Sequence, residues 1–405
     1  MANQIDLSTD IAIIGGGIVG CAIAYELSTH GYQNIVVIEK NPTIPGLNQS
    51  SRNGGIIHAG IYYPKDIEPL KAKLCVEGNR LMYQFCQKYN LPHRKTGKLL
   101  LAKNKKETEL LEFVFQIAEE NGVPGVKIIS GVRARALEPN IANVPSALYV
   151  PSTGSTALGP IVEKLKLLAE THGVHFILEA EVTNITSSAI SFDLTTSKGS
   201  FHTTILINAA GLYADKIAKM TNSSLSYEID PARGELYEYD QESRANISVQ
   251  MHVYGVPYFY DNASKQKVTA SISQLKELLR AGKITKTLGP HVSPTFRYAS
   301  GHFEFGKSVA VGPLKTLTTG KDDYTGNLKT PADYINALQP IFPNLNSSDL
   351  KPRFAGIMAV LKGHTDFVIE KDPKFPLCIH LVGMDSPAWT ASLAIAKYVK
   401  NLLEK

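Results

Sequence analysis

The sequence predicts an α/β fold in two domains, and three observations point there. Residues 11–39 pass from an apolar run through a glycine-rich turn and a helix-length stretch to a second apolar run, the pattern of one βαβ unit. Residues 205–211 and 377–383 are two further apolar runs that each stop at a glycine, Gly211 and Gly383, so buried strands recur in the middle and near the end of the chain. Residues 227–312 instead break into short segments rich in Tyr, Val, Phe and His, punctuated by Gly and Pro, the pattern of antiparallel strands. The expected division is a Rossmann-like domain of residues 1–90, 150–226 and 350–405, interrupted by a discontinuous antiparallel β-sheet domain of residues 91–149 and 227–349.

The first unit carries the most information. Ile11, Ala12, Ile13 and Ile14 read as a buried parallel strand, and Gly15, Gly16 and Gly17 turn the chain into a helix. Gly15 permits the tight turn, Gly17 lets backbone approach a pyrophosphate, and Gly20 lets the helix lie against the strand. Phosphate charge would then rest on the helix N-terminus. The second run, residues 35–38, ends in Glu39, where a carboxylate can accept hydrogen bonds from a ribose with a free 2'-hydroxyl. Adenosine binding follows, although this fingerprint alone does not separate FAD from NAD.

Later elements follow in order. Residues 50–64 mix small and polar residues with an apolar pair, His58 between apolar neighbours, and the adjacent Tyr62 and Tyr63, a composition suited to a loop passing a flat aromatic ligand. Helices are expected over 68–89, 107–121 (ended by Gly122, with Pro124 beyond) and 160–173, and strands over 174–178 and 181–185. Residues 273–286 read as a basic amphipathic surface helix whose Lys276, Arg280, Lys283 and Lys286 are solvated. After the strand 377–382, Ser386 as N-cap and Pro387 as first helical residue start an apolar-periodic helix running to residue 403.

Composition narrows the function. The chain has 405 residues, 43% hydrophobic and 20% charged, and a net charge of +5, too slight to imply a nucleic-acid partner. Cys21, Cys75, Cys86 and Cys378 show no CxxC spacing, so neither a metal site nor a disulfide framework is expected, and a reducing, cytoplasmic setting fits. The first strand begins too near Met1 for a secretory leader, and no apolar run is long enough to span a bilayer. Peripheral contact with the inner membrane face is compatible with this composition.

Three glycine-marked strand ends, at Gly15, Gly211 and Gly383, come from distant parts of the chain and suit a large, extended cofactor. The N-terminus of the last helix could direct its partial positive charge at the N1–C2 carbonyl edge of an isoalloxazine, a demand specific to flavins. The residues 15–39, the run Ser51-Arg52-Asn53 with residues 57–63, residues 70–75 (LKAKLC), Gly97-Lys98-Leu99, residues 151–154, 208–212, Arg233-Gly234, and Ser386-Pro387 with 390–395 carry a resemblance across the whole chain. It resembles the FAD-dependent oxidoreductases of the D-amino-acid oxidase and glycerol-3-phosphate dehydrogenase superfamily, most closely the L-2-hydroxyglutarate dehydrogenase or oxidase group. That resemblance implies a Rossmann-like FAD-binding domain, an antiparallel substrate or cap domain, and noncovalent FAD.

It also implies roles. Gly15, Gly17 and Gly20 would bind the pyrophosphate, Glu39 the adenosine ribose, and Val182 the adenine through its backbone. Ser51, Arg52 and Asn53 would run along the pyrophosphate and flavin, with Gly211, Ser386 and Pro387 near the rest of the cofactor. The implied chemistry removes two electrons from a C–H bearing a hydroxyl, with hydride passing to flavin N5 while a base takes the hydroxyl proton; oxygen or a quinone then accepts the electrons. His58 is the first candidate base and His291 the second, with Tyr62, Lys71 and Tyr254 as substrate-pocket residues and no metal.

The chain departs from this pattern where substrate is bound. The family's Gly-Ile-Arg-Pro reads Gly356-Ile357-Met358-Ala359, its aspartate in Thr-Gly-Ile-Val-Asp is Ala157, and its Tyr-Pro-Val-Pro is Tyr254-Gly255-Val256-Pro257. Methionine cannot make the bidentate carboxylate contact of a guanidinium, so either Lys362 or Arg297 compensates or the substrate differs. Residues 264–286 are an additional segment. The expected substrate is an L-2-hydroxyglutarate-like 2-hydroxy acid, oxidised to the 2-oxo acid. The alternatives are an amino-acid or amine oxidase of the same superfamily, and a flavin-binding protein that has lost catalysis and acts by interaction.

Overall fold

A computed structural model describes residues 5–264, 266–318 and 320–405. Its first sheet is eight-stranded. Ile5–Ile14 lies at the centre, parallel to Ile35–Ile38 on one side and to Gly199–Asn208 on the other. The strand is longer than its apolar run, because Asp6 to Thr9 continue the pairing along Ser200 to Thr203. Gly199–Asn208 in turn pairs in parallel with Cys378–Val382, so Ile14, Asn208 and His380 fall in one register row although they come from three distant parts of the chain.

Alternation along these strands explains their uniform apolarity. Ile11, Ile13, Ile35 and Val37 pack with the helices Ile18–Thr29, Pro69–Lys88, Leu158–Thr171 and Ala388–Leu403, whereas Ala12, Ile14, Val36 and Ile38 pack with Val182, Phe192, Phe201 and Ile217 on the other face. A strand covered on both sides has no polar position to offer. The helices Pro69–Lys88 and Ala388–Leu403 meet closely at Gly78, where a Cβ would lie 2.5 Å from the Thr390 carbonyl.

The second sheet also has eight strands and is mainly antiparallel, in the order Lys351–Leu361, Ile229–Asp240, His302–Leu317, His291–Ala299, His252–Gly255, Lys98–Ala102, Ser146–Val150, Lys127–Ser130. One face is apolar: Leu99, Leu101, Tyr237, Tyr239, Val253, Val292, Val309 and Val311 pack with Tyr334, Leu338 and Phe342. The opposite face looks toward the first sheet. Residues 351–361, expected in the nucleotide-binding portion, belong here instead, because the segment pairs with Ile229–Asp240 from Leu361 opposite Ile229 to Lys351 opposite Glu238.

Two helix ends also differ from expectation. The helix predicted over 273–286 spans only Ile272–Arg280, capped by Ser271 and Gln274; Gly282, at φ +63°, turns the chain, and Ile284–Thr287 becomes a strand paired with Tyr258–Asp261. The last helix is Ala388–Leu403, with Pro387 rather than Ser386 in the N-cap position and no side-chain cap. Among the described residues no helix is long and apolar enough to cross a membrane, and no cluster of His, Cys, Asp and Glu could hold a metal. The four cysteines are free and buried.

Candidate active site

The carboxyl ends of the central strands open into a cavity of about 590 Å³, with the antiparallel sheet above it. A crevice beyond the carboxyl ends of parallel strands is where open α/β sheets bind ligands. Gly15, at φ +110°, lies so close to the next turn that a Cβ would be 2.4 Å from the Ala209 carbonyl oxygen. Gly20 is tighter still, with only 1.9 Å between such a Cβ and the Gly15 carbonyl oxygen, so its role is to seat the helix on the turn; it does not line the cavity. Gly17 differs. A Cβ there would meet only Ser50 Oγ, at 3.1 Å, and the residue faces the cavity, so nothing in the protein's own packing requires glycine at this position.

The starts of two helices, at Ile18 and Val19 and at Ala388 and Trp389, line the same space as the turn at Gly211. Neither helix has an acidic residue in its first turn. Their partial positive charges are therefore left for an anionic ligand. Ser50 Oγ accepts from the Ile18 N–H at 2.8 Å. Glu39 is buried at the end of its strand, accepting from the N–H groups of Gly16 at 2.7 Å and Asn41 at 2.8 Å.

Of the residues expected to hold the cofactor, Gly15, Gly17, Glu39, Arg52, Asn53, Val182, Gly211, Ser386 and Pro387 line this cavity. Ser51 does not; its neighbour Ser50 does. Arg52 rests 4.3 Å above the Tyr324 ring and donates to the Ala355 carbonyl at 3.3 Å, while its own carbonyl lies against Gly356, where a Cβ would be 2.1 Å away. Among the buried polar atoms on residues lining the cavity that have no hydrogen-bond partner are Asn48 Nδ2, His58 Nδ1 and Trp389 Nε1. Buried polar groups are nearly always paired, so these three ask for a ligand. An extended molecule with a phosphate-bearing end and a flat polar ring fits: FAD would lie from Val182 and Glu39, past the first helix, to Ser386 and Trp389.

His58 is held at its backbone from both sides. Its N–H donates to Thr390 Oγ1 on the last helix at 3.0 Å, and its carbonyl accepts from Asn79 Nδ2 on the helix Pro69–Lys88 at 2.8 Å. The residue is thus anchored at the cavity wall, and its imidazole Nδ1 has no partner. His291 and Tyr254, on neighbouring strands of the upper sheet, also line the cavity and stack at 3.8 Å with their planes 11° apart. Tyr62 and Lys71 lie behind the wall: Tyr62 is buried beside Lys98, and Lys71 pairs with Asp385 at 2.7 Å. Asp385 itself faces the cavity, so Lys71 orients a wall residue.

Lys98, given no role in the sequence reading, governs the local electrostatics. It is 1% exposed, lies 4.0 Å above the Tyr254 ring and 5.1 Å from that of Tyr62, and forms no ion pair among the described residues. Burial pulls its ammonium down to about 7. Burial first, and Lys98 second, push His58 and His291 well below the ordinary imidazole range and His252 down to about 3. Neutral imidazoles are the result. The signal was visible in the sequence as a single lysine at the head of the apolar run Leu99, Leu100 and Leu101, a position where an unpaired charge is costly.

The two candidate cations for the place of the family's arginine are elsewhere. Lys362 pairs with Glu228, and Arg297 lies near Asp240 and Glu304; neither lines the cavity. Met358 does line it, and so does a cation that the sequence reading missed, Lys315.

A nucleotide-binding sheet with two helix starts at one cavity, roofed by an antiparallel sheet carrying neutral histidines, is the arrangement expected of a flavin-dependent oxidoreductase. The comparisons agree: the sequence profile described as "FAD dependent oxidoreductase" matches residues 10–402, and the chain belongs to that family. It is 30% identical to an L-2-hydroxyglutarate dehydrogenase of Indibacter alkaliphilus over 95% of this chain and 96% of that one. It is 34% identical to a glycerol 3-phosphate dehydrogenase of Caloramator mitchellensis over 98% of this chain and 74% of that one. Among solved structures, the dithionite-reduced L-α-glycerophosphate oxidase of Mycoplasma pneumoniae with FAD bound is similar at a TM-score of 0.79 and 25% identity, covering 98% of this chain and 95% of that one.

Proposed function

We propose that this FAD-dependent enzyme oxidises the hydroxyl-bearing carbon of an L-2-hydroxyglutarate-like 2-hydroxy acid to the 2-oxo acid. The observation that carries the reading is His58, whose backbone is held by two helices at the cavity wall and whose imidazole is kept neutral by burial and Lys98 and is unpartnered at Nδ1. Such a group is unprotonated at neutral pH and has a free ring nitrogen to which a hydroxyl proton can pass. Bound FAD supplies the two-electron oxidant. As the carbinol C–H bond breaks, the O–H proton passes to His58 and the C–O bond becomes a carbonyl. The stack of Tyr254 and His291 bounds the substrate from above. The 30% identity to proteins named L-2-hydroxyglutarate dehydrogenase, over nearly the full length of both chains, supports this substrate class.

A second reading, oxidation of glycerol 3-phosphate, is favoured by the 34% identical relative of that name. Both substrates pair a secondary hydroxyl with an anionic group. Anaerobic mixing of the yellow holoprotein with L-2-hydroxyglutarate, its D isomer, glycerol 3-phosphate and L-amino acids separates them. We expect bleaching of the flavin band by L-2-hydroxyglutarate. Bleaching by glycerol 3-phosphate alone would establish the second reading, bleaching by amino acids alone would replace both with C–N oxidation, and no bleaching at full flavin occupancy would mean a binding protein.

A further inference from the structure

We propose that Lys315 binds the anionic group of the substrate, a carboxylate or phosphate oxyanion, from the roof of the cavity. This rests on the cavity being the substrate site, but not on which substrate is turned over. Lys315 belongs to the strand His302–Leu317 and, with Ala310 and Pro313 from the same strand, faces the cavity. Its directly opposed residue on the next strand is Gly234, which in turn opposes Gly356 on the strand beyond. Lysine therefore has two glycines in its cross-strand row, and no side chain there competes for the space below. The place that a Cβ of Gly234 would occupy is bounded by Pro313 at 3.0 Å and by Met358 Cε at 3.7 Å. Lys315, opposite Gly234, and Met358, beside it, both line the cavity, one charged and one apolar.

Charge counting isolates Lys315 further. Its electrostatic neighbours are Asp385, Lys71 and Lys286. Asp385 is already matched by Lys71 at 2.7 Å, and Lys286 is matched by Glu68 at 2.9 Å. Among the described residues Lys315 has no ion pair of its own, although it is accessible from the cavity. The positive charge of Lys315 is left unmatched on a roof otherwise built there of Leu236, Tyr254, Ala310 and Met358, and an anion entering with the substrate would neutralise it. Lysine acts here as a point charge on a flexible stem, which accepts a carboxylate or a phosphate without the planar match that arginine demands.

The test is ligand binding by holoprotein, read from perturbation of the flavin absorbance, with glutarate and with glycerol 3-phosphate under anaerobic conditions at pH 7.5. In Lys315→Met we expect the dissociation constant of the better-binding anion to rise about tenfold or more, as for loss of a hydrogen bond to a charged group. Lys315→Arg should restore binding to within about threefold, because charge and reach are kept. Glutarate as the sensitive ligand assigns a carboxylate, and glycerol 3-phosphate a phosphate; either supports the role. Unchanged dissociation constants for both in Lys315→Met, with the flavin spectrum intact, would overturn it. So would weakened FAD retention with anion binding unaltered, because Lys315 would then serve the cofactor. A wild type that binds glutarate but is not reduced by L-2-hydroxyglutarate would defeat the proposed reaction and leave the anion site standing.

Discussion

The floor and the roof of the cavity are built by opposite means. On the floor, backbone touches backbone: an added methyl at Gly15 or Gly20 would collide with a carbonyl oxygen at 2.4 or 1.9 Å. The roof is a mainly antiparallel sheet whose cavity face is set by side chains, among them His291, Ser293, Lys315 and Met358. A side chain added at Gly15 or Gly20 disrupts the turn itself, whereas exchanging a cavity-facing side chain of the roof alters what the cavity accepts. One scaffold can therefore keep its cofactor while its substrate chemistry drifts.

The largest effect should come from the floor. Gly20→Val places side-chain atoms inside the turn, and we expect the purified protein to lose FAD entirely, measured as the ratio of flavin to protein absorbance. Gly17→Ala is the sharper probe, since only Ser50 Oγ lies nearby. It should fold and melt as the wild-type apoprotein does, yet bind FAD about tenfold more weakly, a difference of roughly 1.4 kcal/mol. If both variants bind FAD normally, the floor is not the cofactor site.

Next in size is His58→Ala, which should stay yellow and slow the anaerobic reduction of flavin by about a hundredfold or more. An unchanged rate in stopped-flow mixing would remove His58 as the base.

Lys98→Met tests the electrostatics of the roof. The ammonium opposes a second positive charge on His58, so its removal lets His58 keep a proton to higher pH, and the acid limb of the kcat/KM profile should move upward. The stability effect has a definite sign as well. With Lys98 at about 7 in the folded protein and near 10.5 when unfolded, the unfolded chain binds the extra proton between those values, so stability is lost as pH falls toward 7 and stays reduced below it. Lys98→Met should therefore melt above wild type at pH 6 to 7, by about 2 °C or more, with the gap closing toward pH 10. A melting difference independent of pH would show that Lys98 is charged in neither state or paired in both.

The smallest effects belong to Lys362→Ala and Arg297→Ala. Both cations lie outside the cavity and have acidic neighbours, so substrate KM should stay within about twofold of wild type. A large increase in either would mean that the substrate reaches beyond the cavity described.

This contrast also explains what was legible in the sequence. Backbone contact requires glycine at Gly15 and Gly20, and with Gly17 and Glu39 at fixed spacings they disclosed the first unit; Gly211 and Gly383 marked the strands that join it. Residues 351–361 were assigned to the wrong sheet because an apolar strand carries no sign of its partner, and pairing across more than a hundred residues with Ile229–Asp240 is a tertiary fact. Lys315 was missed for a related reason. Two residues beyond Pro313 in a segment of mixed polarity, it looks like any surface lysine until the register puts Gly234 opposite and the cavity below. The end of the helix Ile272–Arg280 was overrun because lysines on either side of Gly282 continue the basic pattern into a strand.

The division between floor and roof is tested most directly by titrating FAD into the apoproteins of wild type, Gly17→Ala and Lys315→Met and following the quenching of flavin fluorescence. The account predicts weaker FAD binding in Gly17→Ala alone, with Lys315→Met superimposable on wild type. Loss of FAD affinity in Lys315→Met, with Gly17→Ala unaffected, would contradict it.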